Sequence, residues 1–110
     1  MKLRIEDDTL RLRLSEAEVR EFAENGRVAA VVRLGPGPHE QLTYALEQAA
    51  DPAVTTVRVR YDPAGLTVLV PGAVAALWTT TEQNGFSEQL PLTDAHRLRI
   101  LVEKDLGCRH

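Results

Sequence analysis

Apolar and polar positions alternate with a period of two over several short stretches of this 110-residue chain, and in most of them the polar position is a base. Lys2, Arg4, Arg11, Arg13, Arg58, Arg60, Arg97 and Arg99 fall between Leu3, Ile5, Leu12, Val57, Val59, Leu98 and Ile100. Successive strand side chains point to opposite faces, so this pattern predicts strands with a greasy side turned inward and a guanidinium side turned outward.

Residues 2–6 and 9–14 read as two strands joined by the turn-favouring pair Asp7-Asp8, a β-hairpin. A helix follows at once. Ser15 with Glu18 three residues on forms an S-x-x-E capping box, Val19, Phe22 and Ala23 make a narrow apolar stripe, and Asn25-Gly26 supplies the stop. Glu16 and Arg20 stand at i, i+4 on that helix. The apolar run 27–34, bounded by Gly35-Pro36-Gly37-Pro38, predicts a strand and an irregular loop. Leu42, Tyr44 and Leu46 alternate as a short, weaker strand. Residues 55–61 and 66–70 flank Asp62-Pro63-Ala64-Gly65 as a second hairpin.

Pro71 can open a second helix, where its missing N–H costs nothing, with Val74, Leu77 and Trp78 as the buried face. Thr79-Thr80-Thr81 weakens its end and Asn84-Gly85 closes it. Residues 86–90 suggest a short edge strand, and 97–103 a final strand. No internal repeat, low-complexity tract or linker is visible. The order ββα-ββββα-(β)β predicts a single α+β domain over 1–110, a mostly antiparallel sheet of about six to seven strands with two helices, and a flexible tail from about residue 104. Curling of that sheet into a partial barrel stays open.

Composition narrows the class. A content of 44% hydrophobic residues supports one modest core, and 5% aromatics means that Leu, Val, Ile and Ala must build most of it around Phe22, Tyr44, Tyr61, Trp78 and Phe86. The net charge of −3 argues against a dedicated nucleic-acid binder, and the near absence of aromatics between the arginines argues against a single-strand platform. Eight of the 13 bases sit on the alternating segments while Glu16, Glu18, Glu21 and Glu24 crowd the first helix, so the field is lopsided. One cysteine, Cys108, excludes an internal disulfide. Met1-Lys2-Leu3-Arg4 enters a strand without a secretory leader, and no apolar run is long enough to span a membrane. A cytoplasmic protein is expected.

The opening Lys2-Leu3-Arg4-Ile5 with Leu10-Arg11-Leu12-Arg13-Leu14-Ser15 and Glu18-Val19, the central Leu42-Thr43-Tyr44-Ala45-Leu46-Glu47 and the closing Leu101-Val102-Glu103-Lys104-Asp105 with Cys108 resemble a family of small bacterial proteins of unknown function. The resemblance covers nearly the whole chain and implies no chemistry. Leu106 stands where the family pattern leads one to expect an aromatic residue.

Candidate chemistry is sparse. Cys108 and His110 form a C-x-H pair able to ligate zinc or copper, but two ligands are too few, and a third would have to come from His39, His96, Asp105 or another subunit. An incidental thiol on a tail explains them as well. A catalytic cysteine needs a neighbouring base and a lowered pKa, which a chain end does not reliably supply. Gly35-Pro36-Gly37-Pro38 lacks phosphate-loop spacing and the trailing helix, and reads as a stiff connector. His39-Glu40 and Asp94-x-His96 lack a third catalytic partner. Trp78 could be a stacking platform, yet its spacing with Val74 and Leu77 fits a core position.

What remains is the arginine face. Arg11, Arg13, Arg58, Arg60, Arg97 and Arg99 can fix carboxylates or phosphates in bidentate geometry, against the plainer alternative of cross-strand pairs with Glu103 and Asp105 and of arginine stems covering apolar surface. The sequence therefore favours a non-catalytic binding or adaptor module, taking a protein or a small anionic ligand on that face and without a cofactor. Self-association is expected through a sheet edge or through the apolar 27–34 strand. The alternatives are a small-molecule or metal-binding protein using Cys108 and His110, and an enzyme whose site is not recognisable.

Overall fold

The computed structural model describes residues 1–105, which form ten elements. They are β1 (Lys2–Glu6), β2 (Thr9–Leu14), α1 (Glu16–Asn25), β3 (Arg27–Arg33), β4 (Gln41–Gln48), β5 (Arg58–Asp62), β6 (Gly65–Val70), α2 (Gly72–Thr80), β7 (Gly85–Pro91) and β8 (Arg97–Lys104). The fold is α+β with two helices, in the expected order of elements. The single sheet of about six to seven strands is corrected: eight strands divide into two four-stranded mixed sheets, sheet I in the order β1-β2-β8-β7 and sheet II in the order β3-β4-β6-β5, with most pairings antiparallel as expected and neither sheet closed into a barrel. The central pairs β2–β8 and β4–β6 are parallel. Both join segments from opposite halves of the chain, and periodicity specifies a strand's faces but not its partner.

The two sheets are built alike. Adding 56 to every residue of the β1–β2 register, Lys2 opposite Arg13 through Glu6 opposite Thr9, gives the β5–β6 register, Arg58 opposite Leu69 through Asp62 opposite Gly65. The same shift, added to Leu10 and subtracted from Ile100, carries the parallel pair Leu10–Ile100 onto Leu66–Tyr44. Backbone bonds outside the ladders follow, with the shift widening to 58 from the end of the helix through β7: Gln48 N–H donates to Gly26 and Lys104 N–H to Asn84, while Ala49 N–H donates to Val70 and Asp105 N–H to Leu14. The chain is thus two ββαββ units that exchange hairpins, so each sheet takes one hairpin from each unit.

This repeat was not expected from the sequence. Its inward positions agree in kind but seldom in identity, with Leu12 matching Val68, Leu14 matching Val70, Phe22 matching Trp78 and Leu46 matching Val102. Its outward positions diverge on β2 and β8, where Arg11, Arg13, Arg97 and Arg99 have no charged counterpart.

Local chemistry explains the element ends. The Ser15 hydroxyl accepts from Glu18 N–H at 3.2 Å and the Glu18 carboxylate accepts from Ser15 N–H at 2.8 Å, which is the expected capping box. Gly26 in the left-handed region (φ 76°) ends α1 and donates its N–H to Phe22. The strand expected over 55–61 begins only at Arg58, because its partner β6 runs into Pro71, the N-cap of α2, just beyond Val70. The weak strand around Tyr44 is instead eight residues long and central in sheet II.

The inner faces and both helices share one core, in which Leu12, Leu14, Ile100 and Val102 of sheet I and Leu46, Val68 and Val70 of sheet II surround Phe22 and Trp78. Trp78 meets Phe22 and Phe86 edge to face, at 6.0 and 5.4 Å between ring centroids, and donates its indole N–H to the Asn84 carbonyl at 3.0 Å. Trp78 is therefore a core residue. Leu77, expected beside it, is 54% exposed: α2 turns Ala75 and Trp78 inward, and Leu77 falls off that stripe. Lys104 closes β8 and Asp105 N–H is bound to Leu14. The rest of the expected tail, residues 106–110, lies outside the described residues.

Candidate functional site

Even-numbered residues of β1 and odd-numbered residues of β2 and β8 point away from the core, so the outer face of sheet I gathers Lys2, Arg4, Arg11, Arg13, Arg97 and Arg99 against the carboxylates of Glu6, Glu103 and Asp105. Antiparallel pairing sets Arg4 directly opposite Arg11 and Lys2 opposite Arg13, and parallel pairing sets Arg99 opposite Thr9. Like charges directly opposed on one face destabilise a sheet. Glu103 offsets part of this by accepting from Arg11 Nε at 2.7 Å, with Arg13 Nε at 3.8 Å. Lys2 reaches Asp105 at 3.0 Å and Arg4 reaches Glu6 at 3.5 Å.

The remaining cations are less well matched. The Arg13 Nε is buried and has no hydrogen-bond partner. Arg97 and Arg99 form no ion pair among the described residues. Arg4, Thr9, Arg11, Arg99 and Leu101, together with the acidic Glu6 and Asp7, line a depression of about 230 Å³. That space suits one carboxylate- or phosphate-sized group held by several guanidinium donors.

The six arginines singled out in the sequence do not form one surface. Arg11, Arg13, Arg97 and Arg99 come together on sheet I, whereas Arg58 and Arg60 lie on β5 at the edge of sheet II. There Arg60 sits between Glu47 at 3.7 Å and Asp62 at 3.6 Å, and Arg27 donates to the same Glu47 at 3.1 Å. Cross-strand ion pairing accounts for Arg60, and for Arg11 in part.

Sequence inspection noted Lys2 and Arg4 but left them out of the site. The two-residue Asp7-Asp8 turn fixes their opposition to Arg13 and Arg11 and could have brought them in. Cys108 and His110, the suggested metal ligands, lie outside the described residues, and no group of three or more His, Cys, Asp or Glu side chains placed to hold a metal occurs within them.

The repeat supplies an internal comparison. Lys2 and Arg4 correspond to Arg58 and Arg60, and Glu6 to Asp62, so these charges recur at equivalent places in both sheets. Arg11, Arg13, Arg97 and Arg99 instead correspond to Thr67, Leu69, Gln41 and Thr43. The same backbone position in the same ladder thus carries arginine on one sheet and a neutral residue on the other.

The Glu18 carboxyl has a displaced pKa. Burial works to raise it, but hydrogen bonding to the Met1 ammonium and to Ser15, with the ammonium charge, holds it below the ordinary value. This belongs to the α1 cap and not to the arginine face. No helix of the described residues is long and apolar enough to cross a membrane.

The chain belongs to a family of unknown function (DUF7009), whose model matches residues 1–110. No curated protein and no solved structure matches it.

Proposed function

We propose that the protein is a non-catalytic binding module that captures an acidic surface of a partner protein on the outer face of sheet I, through Arg11, Arg13, Arg97 and Arg99 with Arg4 beside them. The asymmetry between equivalent positions carries this reading. Thr67, Leu69, Gln41 and Thr43 serve the same fold at the same places, so the fold itself does not require arginine there. A like-charged array that weakens its own sheet is intelligible when an outside anion completes it. The exposed face of sheet I carries no aromatic side chain for base stacking, which favours a carboxylate-rich protein over single-stranded nucleic acid. A cytoplasmic setting belongs to the same proposal and rests on the solitary cysteine.

Fluorescence anisotropy of a labelled polyglutamate peptide, at low and at physiological salt, tests it. Binding should weaken with salt and should fall by about tenfold, a loss of about 1.4 kcal/mol, in the double variant Arg97→Gln/Arg99→Thr. It should change by less than about twofold in Arg58→Gln/Arg60→Gln, since Arg60 is already neutralised by Glu47 and Asp62. Equal loss in both variants, or no binding at low salt, overturns the proposal. Capture of orthophosphate but not of the peptide would replace the acidic protein surface with a small anion.

A further inference from the structure

Beyond the arginine face, we infer that the free edge of β3 is an interface for a second copy of this chain, paired antiparallel about a two-fold axis through Val31. Two backbone bonds fix which groups that edge offers. Gly26 accepts from Gln48 N–H at 2.8 Å and Leu34 donates to Glu40 at 2.7 Å, both in register with the β3–β4 ladder. Even-numbered residues therefore bond to β4, and Ala29, Val31 and Arg33 turn their N–H and C=O groups to the open side.

Edge strands ordinarily carry devices against such pairing, and the repeat shows where this chain has one and where it lacks one. The equivalent edge, β7, places Ser87, Gln89 and Pro91 where β3 has Ala29, Val31 and Arg33. Pro91 has no N–H to donate, and Glu88 adds a charge. On β3 Val31 at the middle of these places is 52% exposed, its neighbour Val32 is 42% exposed, and Leu34 just beyond is 69% exposed. No proline or acidic residue interrupts Arg27–Arg33.

A second copy is the occupant because the strand complements itself with Val31 on the axis. With Val31 opposite Val31 of the second copy, Ala29 meets Arg33 and Ala30 meets Val32, and about six backbone hydrogen bonds form across the axis. The neighbouring register, centred on Ala30, would set Arg27 against Arg33 at both ends, an unfavourable apposition. In the favoured register sheet II becomes one continuous sheet through the dimer, and the outer face of sheet I in each copy takes no part in the pairing.

Light scattering after size exclusion, on the full chain over a wide concentration range, should show the mass rising from 12.2 kDa to twice that value. Val31→Lys sets two ammonium groups against each other on the axis and should hold the mass at 12.2 kDa with an unchanged circular dichroism spectrum. In a Cys108→Ser background, Val31→Cys should form an interchain disulfide when oxidised glutathione is reduced to two glutathione thiols, because paired strands bring such Cα atoms to about 5.5 Å. Ala30→Cys should not. A mass of 12.2 kDa at every concentration, a dimer that survives Val31→Lys, or preferential cross-linking of Ala30→Cys each overturns the proposal.

Discussion

Replacing the four sheet I arginines by their counterparts on sheet II, as Arg11→Thr, Arg13→Leu, Arg97→Gln and Arg99→Thr, should leave the fold nearly as stable as before while abolishing anion capture. The magnitude follows from the contacts. Arg97 and Arg99 make no ion pair within the described residues, so each contributes within about 0.5 kcal/mol. The Arg11–Glu103 and Arg13–Glu103 pairs join partly exposed side chains and are worth about 0.2–1 kcal/mol each. Against that loss, the variant relieves the oppositions of Arg4 with Arg11 and Lys2 with Arg13, about 0.2–1 kcal/mol each, and removes the unmet buried donor of Arg13. The terms nearly cancel, and a net change within about 1 kcal/mol corresponds to a Tm shift of about 4 °C for a domain of this size. Urea unfolding followed by circular dichroism, beside the polyglutamate titration, measures both quantities. A loss above about 3 kcal/mol would show that the arginines hold the sheet, and equivalence between the halves would then be no guide to function.

Three further outcomes check the fold. Trp78→Ala empties the centre of the shared core and strands the Asn84 carbonyl, so it should cost about 3–5 kcal/mol in urea unfolding, against less than about 0.5 kcal/mol for exposed Leu77→Gln. Gly65→Ala should cost more than about 2 kcal/mol by the same measurement, since Gly65 has φ +135° and a Cβ there would stand 2.3 Å from the Thr43 carbonyl oxygen. Because the folded Glu18 carboxyl lies below its unfolded value of about 4.5, its contribution is present above that pH and is lost as pH falls through the folded value. Glu18→Gln should therefore lower Tm near neutrality and flatten the decline of Tm with acid below about pH 4.5.

Much of the architecture is written locally. The first hairpin, the capping box at Ser15, the glycine stop at Gly26 and the buried place of Trp78 follow from residues that act within a few positions of one another. The partition into two sheets does not, because Leu10 pairs with Ile100 across most of the chain and Tyr44 with Leu66 across its middle, and an alternating strand looks the same beside any partner. The arginine face was half legible for the same reason. Alternation correctly put each guanidinium on an outward face, but it could not tell that Arg58 and Arg60 belong to a different sheet from Arg11 and Arg99. Nor could it tell that Glu47 and Glu103 occupy matching places.

Two copies of one design in a single chain separate what the fold demands from what else is under demand. Positions that face the core retain their apolar character in both units, as Leu12 and Val68 do, because each must fill the same interior. Outward positions are free of that constraint, and there the units part in two ways. One concerns charge: arginine at 11, 13, 97 and 99 faces neutral residues at 67, 69, 41 and 43. The other concerns edges: the β7 edge is blunted by Pro91 and Glu88 while the β3 edge is left open at Val31. The charge difference lies on sheet I and the open edge on sheet II, so partner capture and self-pairing would occupy separate surfaces and proceed together. Val31→Lys then serves as a control on both proposals, since it should abolish pairing while each monomer still binds polyglutamate with undiminished intrinsic affinity. A parallel loss of both would mean that the arginine face and the open edge form one interface, and the division of labour between the units would be wrong.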